Sequence, residues 1–330
     1  MRLKDKYGRD ITDLRLSVTD RCNYKCVYCR TGTVGAQFPE LSMTDYLRMA
    51  RVFAGLGVRK VRLTGGEPLL RAGLVEFVRE LATLRNCDGE PLELAITTNG
   101  HLLAEMAQPL KDAGMTRVTV SMDGMNEEKF AKVSRVHNAF AQVLAGVRAA
   151  KRVGLEPVKV NCVLLRGFND DQIEAFGEFA RAEGVNVRFI EFMPLEEDRV
   201  WSPDVVVRMD EIVSRLSKVR GLVEVPRKID SETARRFVFG DGVGEIGIVA
   251  PVSNPFCNHC SRVRVTSDGK IRTCLFSAFE HDLAGLMHRG ASDEELAEFI
   301  TDVVVTKEER HHIGEEGFVP ASRTMVHIGG

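Results

Sequence analysis

Short aliphatic runs alternate with amphipathic stretches along the first part of the chain. The runs at 14–18, 61–64, 94–97, 118–121, 158–165 and 187–192 are rich in Val, Leu and Ile and are bounded by turn-forming residues, as strands of a parallel sheet are. Between them the apolar period lengthens. Leu47, Ala50, Phe53 and Ala54 fall on one helical face behind a Ser42–Asp45 capping box. Leu74, Phe77, Val78 and Leu81 repeat the pattern, as do Val143, Leu144 and Val147 in a helix that ends at Gly154. Phe176, Phe179 and Ala180 do so ahead of Gly184. Six strand–helix units are two short of a closed eightfold barrel. The pattern therefore predicts an α/β fold, an incomplete and laterally open (β/α)6 TIM-like barrel.

After Pro194 this rhythm breaks. A helix at 209–219 precedes β-like pieces at 235–239 and 245–249. We divide the chain into a barrel core, 1–194, and a C-terminal extension, 195–330, that closes the open barrel. No internal repeat or low-complexity segment interrupts either part.

Composition narrows the function classes. The chain has 330 residues, 44% of them hydrophobic, enough for a sizeable core. A net charge of −2 with 28% charged residues gives no basic face for nucleic acid, so an anionic ligand has to be held by locally placed Arg and Lys. No apolar run approaches the ~18 residues of a membrane span, and the N-terminus lacks an apolar leader core, which predicts a soluble cytoplasmic protein without a membrane partner.

Of eight cysteines, six fall in two tight groups, which in a reducing compartment read as metal ligands. Cys87 and Cys162 read as small, semi-buried apolar residues. Cys22, Cys26 and Cys29 form C-x-x-x-C-x-x-C directly after the first strand. Tetrahedral zinc wants four ligands, whereas three thiolates on a 4Fe–4S cube leave one iron open for chemistry. Cys257, Cys260 and Cys274 form a second trio, with thirteen residues between the last two. A zinc site there would need a fourth ligand, and His259 is poorly placed to supply it, so zinc and a second open cluster both stand on spacing alone.

The remaining unusual residues collect at strand ends, where parallel α/β sheets place their sites. Thr64-Gly65-Gly66-Glu67-Pro68 follows the second strand and Thr97-Thr98-Asn99-Gly100 the third. Ser121-Met122-Asp123-Gly124 ends the fourth, and Glu191-Phe192-Met193-Pro194 the sixth. In the Gly-Gly-Glu-Pro turn, glycines let backbone approach a ligand, and Glu67 with the turn amides can hold a charged amino group.

The loop CNYKCVYC, with Tyr28 between its second and third cysteines, resembles the signature of the radical S-adenosylmethionine (SAM) enzymes. The chain as a whole is similar to the GTP 3′,8-cyclases. The likeness rests on LRLSVTD before the first trio, Val61-Arg62-Leu63, Lys159-Val160-Asn161, Arg188-Phe189-Ile190-Glu191, Cys260-Ser261-Arg262-Val263-Arg264 and the terminal Gly329-Gly330. It implies two 4Fe–4S clusters and SAM as cofactors. One electron at the N-terminal cluster cleaves SAM to methionine and a 5′-deoxyadenosyl radical. That radical takes hydrogen from C3′ of GTP, and the C3′ radical attacks C8 of guanine. The product, 3′,8-cyclo-7,8-dihydro-GTP, opens molybdenum cofactor biosynthesis.

The resemblance also assigns residues. It makes Tyr28, Gly66, Glu67, Ser121 and Met193 SAM contacts and places Arg15, Arg62, Thr97, Lys159, Arg262, Val263 and Arg264 around GTP. Arg262, Arg264, Gly329 and Gly330 take part in catalysis. A triphosphate independently calls for several cations, Arg above all. An electron donor such as flavodoxin or ferredoxin is implied, as is transfer of product to cyclic pyranopterin monophosphate synthase, and a homodimer is left open. The chain departs from the family pattern at Arg30, at Cys162 and in a loop insertion at 86–92.

Three other readings compete. A radical SAM enzyme acting on peptides accounts for the cysteines but not for Arg262, Arg264 and the di-glycine end. An iron–sulfur or zinc regulator does not need the Gly-Gly-Glu-Pro turn. The di-glycine end also resembles that of ubiquitin-like carriers, which are far smaller. As a bare chain end it reads either as frayed or as a side-chain-free tail threaded into a crowded barrel mouth.

Overall fold

The structure, a computed structural model, describes residues 2–30, 32 and 35–329. The six expected strands are present, each within a residue of its predicted bounds: β1 (Asp13–Ser17), β2 (Lys60–Thr64), β3 (Glu93–Thr98), β4 (Arg117–Ser121), β5 (Lys159–Leu164) and β6 (Asn186–Glu191). Helices α1 (Met43–Gly55) and α2 (Leu74–Thr83) follow the first two strands. After them come α3 (Leu103–Asp112), α4 (Glu127–Ser134), α5 (Phe140–Arg152) and α6 (Ile173–Glu183). The Ser42–Asp45 capping box opens α1, with both reciprocal bonds formed. Helices α3 and α4 have no counterpart in the predicted pattern. Pro109 lies inside α3, and α4 is short and charged.

The extension supplies α7 (Met209–Arg220), β7 (Leu222–Val225), β8 (Arg235–Phe239) and β9 (Glu245–Val249). Beyond them lie β10 (Arg262–Val265), β11 (Lys270–Arg272), β12 (His281–Asp282), α8 (Leu283–His288), α9 (Asp293–Val305) and α10 (Met325–Ile328). All twelve strands share one sheet, in the order β12-β11-β10-β1-β2-β3-β4-β5-β6-β9-β8-β7. The extension does not close the barrel as expected. β10 pairs parallel with β1 and β9 parallel with β6, so the two free edges of the core are lengthened, and among the described residues no ladder joins β12 to β7. A core that begins and ends on parallel strands leaves two edges to be covered, and distant segments cover them.

Alternation within the strands divides the two faces. Leu14, Leu16, Val61 and Leu63 are fully buried with Phe53 and Phe77 of the helical layer. Arg15 and Arg62, between them, line the concave interior. No described helix is long and apolar enough to cross a membrane.

Candidate active site

The concave side of the sheet encloses a cavity of about 840 Å³ lined by all six clustered cysteines. The N-terminal trio is held by the loop after β1. Asp20 is buried there and accepts from the Gln37 and Phe38 amides at 2.7 and 3.0 Å. Arg30, the departure after the third cysteine, is buried and donates to the carbonyls of Asp20 and Gly35 at 3.3 and 2.7 Å, bracing the same loop.

The Gly-Gly-Glu-Pro turn packs directly on this loop. Gly66 N donates to Thr19 O at 2.8 Å and Glu67 N to Arg21 O at 2.7 Å. A Cβ at position 66 would overlap Arg21 O, so only glycine fits. Glu67 does not line the cavity as Gly66 does. It is buried and accepts from Leu69 N, Thr98 Oγ1 and Asn99 N at 3.0, 2.7 and 2.7 Å, tying the ends of β2 and β3 together. Burial pushes its carboxyl up to about 7.

Tyr28, Ser121 and Met193 line the cavity with the trio. The Tyr28 hydroxyl donates to Asp123 Oδ2 at 2.7 Å, and Asp123 Oδ1 accepts from Val163 N at 2.8 Å, which fixes the ring. Burial raises the Cys22 thiol to about 11 and lifts Cys26 and Cys29 above the usual thiol range. Such buried thiols ionise when a bound cation pays the desolvation cost.

Deeper in, the wall is cationic. Arg264, Arg15 and Arg62 are register neighbours across β10, β1 and β2 and form one rung of three guanidinium groups. Eleven Lys and Arg line the cavity against five Asp and Glu, although the chain as a whole is slightly acidic. Burial, then the neighbouring charge of Arg262, draws Arg15 down to about 9; burial, helped by the charges of Arg117 and Arg188, outweighs the pull of Asp13 to bring Arg62 to about 10. Arg62 Nη1 donates to Thr97 Oγ1 and Thr119 Oγ1, both at 3.2 Å, while Arg15 Nε is buried without a partner among the described residues. Lys159 falls to about 6 through burial and the charges of Arg188, Arg117 and Arg62. This wall holds more positive charge than its own acids balance, the condition for gripping a polyanion.

The second trio faces the same cavity. Against the effect of burial, Arg262 and Lys307 draw the Cys260 thiol down to about 6. Arg262 and Arg264 line the cavity, but Val263 between them is turned into the core by strand alternation. Sequence reasoning missed Arg117 and Lys307 and gave Arg188 no role. Their signal is a charge embedded in, or closing, an otherwise apolar element.

The tail is docked rather than frayed, as far as it is described. Arg323 pairs with Asp268 and Glu280, each at 2.8 Å, and lies 3.9 Å above the Phe38 ring. Met325 N donates to Leu195 O at 2.9 Å, and Arg264 Nη1 donates to Gly329 O at 2.5 Å. Gly329 adopts φ 81°, and a Cβ there would meet Thr64 Oγ1 at 2.7 Å and Ser17 Cβ at 2.9 Å. Gly330 lies outside the described residues.

All six cysteines are free thiols. Among the described residues no three His, Cys, Asp or Glu side chains converge as ligands of a single ion would. Two trios of free thiols bordering one cavity are a donor set suited to iron–sulfur clusters, which draw on cysteine thiolates.

Comparison with known proteins agrees. The family model described as Radical SAM superfamily matches residues 16–180, and Molybdenum Cofactor Synthesis C matches 185–313. The GTP 3′,8-cyclase of Paenarthrobacter nicotinovorans is 42% identical over 99% of this chain and 97% of its own length. That of Moorella thermoacetica is 39% identical over 99% of this chain and 100% of its own. The chain belongs to the GTP 3′,8-cyclase family. The radical SAM match runs from the end of β1 through β5 and most of α6, and β6 falls in the second match. The radical SAM fold is also seen in solved structures. Streptococcus suis SuiB bound to precursor peptide SuiA superposes with TM-score 0.60 at 13% identity, over 92% of this chain and 67% of that one. Native anSMEcpe with bound AdoMet gives 0.50 at 18% identity, over 63% and 60%. At such identities the likeness concerns the fold alone.

Proposed function

We propose that this GTP 3′,8-cyclase family member converts GTP to 3′,8-cyclo-7,8-dihydro-GTP, the first step of molybdenum cofactor biosynthesis, using SAM and two 4Fe–4S clusters. One observation carries the reading: both cysteine trios and an unbalanced arginine rung border a single cavity. Cys22, Cys26 and Cys29 hold the cluster that receives SAM, and Cys257, Cys260 and Cys274 hold the second. When bound, these cofactors would supply a radical able to take hydrogen from C3′ of GTP; closing the C3′–C8 bond then calls for one further electron, from the reductant, and a proton to give the dihydro product.

The chain's own residues bind, orient and shield. Gly66 lets the turn backbone approach SAM, with Tyr28, Ser121 and Met193 around it, and Glu67 holds that turn in place from behind. Arg15, Arg62, Thr97, Lys159, Arg262 and Arg264 surround GTP. The triphosphate supplies the negative charge that the rung lacks, and the cost of burying those guanidinium groups is offset only when it is bound. Arg264 couples the substrate wall to the tail through Gly329 O, and we assign Gly329 and Gly330 a part in catalysis. We take residues 1–194 as the radical SAM core and 195–330 as the extension. A cytoplasmic location, reduction by a flavodoxin or ferredoxin and transfer of product to cyclic pyranopterin monophosphate synthase complete the proposal.

The test is anaerobic reconstitution of the full chain, then iron and sulfide analysis and incubation with SAM, a reductant and GTP. The expected result is two clusters per chain and a GTP isomer of changed connectivity, detected by mass spectrometry after separation from GTP. A single cluster, or 5′-deoxyadenosine formation without any GTP-derived product, would overturn the reading.

A further inference from the structure

The turn that follows α9 is tied, directly or through Arg9, to the backbone beside every C-terminal cysteine. Lys307 Nζ donates to Arg262 O at 3.1 Å and to Thr273 O, two residues after Cys260 and one before Cys274. Glu308 Oε2 accepts from Thr273 Oγ1 at 2.7 Å. The third segment is reached through Arg9, whose Nη1 donates to Cys257 O at 2.8 Å and to Glu309 O at 2.7 Å, and whose Nη2 donates to Glu308 O at 2.6 Å. Asp5 fixes Arg9 in turn, at 2.5 Å from Nε. The backbone beside all three cysteines is thus referred to one short turn more than thirty residues further along the chain.

Lys307 has a second property. It is buried, 3% exposed, and lines the cavity, yet its hydrogen bonds go to carbonyls and no ion pair engages it among the described residues. A buried ammonium needs a nearby anion. Cys260 and Cys274 line the same cavity, beside the two carbonyls that Lys307 holds, so a ligated thiolate set there would supply that anion.

We propose that Lys307 and Arg9 are positioning residues of the C-terminal cluster. Together they lock the backbone beside Cys257, Cys260 and Cys274 to the 307–309 turn, and the Lys307 ammonium balances the charge of the thiolate set. The inference rests on the two-cluster reading above and extends it to residues that reading assigns to neither GTP nor SAM.

The experiment uses anaerobically reconstituted full-length protein. The wild type is first shown to carry two clusters by iron and sulfide content; a single cluster would refute the two-cluster reading itself. Lys307→Gln is then compared with it. Glutamine retains a donor for the carbonyls but lacks the charge. Removing a nearby positive charge makes reduction harder, so the midpoint potential of the C-terminal cluster, followed by electron paramagnetic resonance, is expected to move to more negative values. Its loss to a chelator is expected to accelerate roughly tenfold or more. The N-terminal cluster, recognised by its spectral response to SAM, keeps wild-type occupancy. A purely packing role would not move the potential. Two clusters with wild-type potential and chelator resistance in Lys307→Gln overturn the proposal. Should that variant not fold, Arg9→Gln decides: faster loss of the C-terminal cluster supports the brace, and wild-type retention overturns it.

Discussion

Replacing Gly329 with alanine isolates the tail from everything else at the site. Gly329 sits at φ 81°, a left-handed conformation that costs an L-residue about 1–2 kcal/mol. Its new methyl would meet Ser17 Cβ at 2.9 Å and Thr64 Oγ1 at 2.7 Å. Ser17 Cβ is fixed to the backbone of β1 and cannot turn away, so overpacking adds about 1–2 kcal/mol. The sum, about 2–4 kcal/mol, is comparable with what the two hydrogen bonds at Met325 N and Gly329 O can hold. The end of the tail should therefore leave the wall, shifting its docking equilibrium about thirty- to several-hundredfold. Cyclised product formed per minute under anaerobic conditions should fall by a comparable factor, with iron content and GTP affinity retained. Gly314→Ala is the control: it has the same backbone sign, φ +80°, but open space around it, so only the conformational cost applies and activity should stay near wild type. Full-rate cyclisation by Gly329→Ala would refute the reasoning.

Other tests address the remaining parts of the site. Cys26→Ala should remove the N-terminal cluster and abolish 5′-deoxyadenosine formation, whereas Cys274→Ala should roughly halve the iron and block cyclisation while leaving some uncoupled SAM cleavage; undiminished 5′-deoxyadenosine from Cys26→Ala would sink the assignment. Arg62→Ala should weaken GTP binding by ~1.5–3 kcal/mol, ten- to a hundredfold, with cluster content unchanged, and wild-type affinity by calorimetry would count against the rung. Lys159, near 6 in the empty protein, should take up a proton as the triphosphate arrives. GTP affinity should then decline as pH rises above about 6, and calorimetry at about pH 7.5 in buffers of different ionisation enthalpy should show proton uptake. Folding is linked to the same depressed value: the unfolded chain keeps that lysine's proton up to about 10, so the penalty Lys159 places on the empty protein is full below about 6 and fades as pH rises towards about 10. The folded chain binds fewer protons than the unfolded one between about 6 and 10, so this residue's contribution to the stability of the empty protein rises with pH through that window, which chemical denaturation at several pH values would read.

Much of this was legible in the residues. The runs around Leu14, Val61, Leu94, Val118, Val160 and Val187 announce strands because each feeds a core covered by helices, and the cysteine trios follow from spacing. Sequence could not show that β10 lies beside β1 or β9 beside β6, since such pairings are set by which edges remain free and not by local pattern. Two helices of the core escaped notice because Pro109 blurs the period of α3 and the charges of α4 leave little apolar face. Arg117 and Lys307 escaped because a lone charge at a strand or helix end usually means a solvated terminus; only strand packing reveals the enclosed side. Glu67 shows the converse. Its motif points to a ligand contact, while its hydrogen bonds show a carboxylate occupied in holding strand ends together.

The placement of β9 and β10 also sets an order of events at the ribosome. Asp13 pairs with Arg262 across the edge of β1, and Asn186 with Glu245 across that of β6. While the early strands emerge, β1 presents an unpaired backbone edge until almost the whole chain has been made, and such edges invite pairing with other nascent chains. Contacts of this sequence separation form slowly. The arginine rung cannot exist before Arg264 arrives, nor can the brace on Cys257, Cys260 and Cys274 before residue 309. Cofactor loading at the second trio is consequently a late, post-translational event: a nascent chain ending before Arg262 leaves an edge of β1 unpaired, and one ending between Cys274 and α9 carries the trio without its brace.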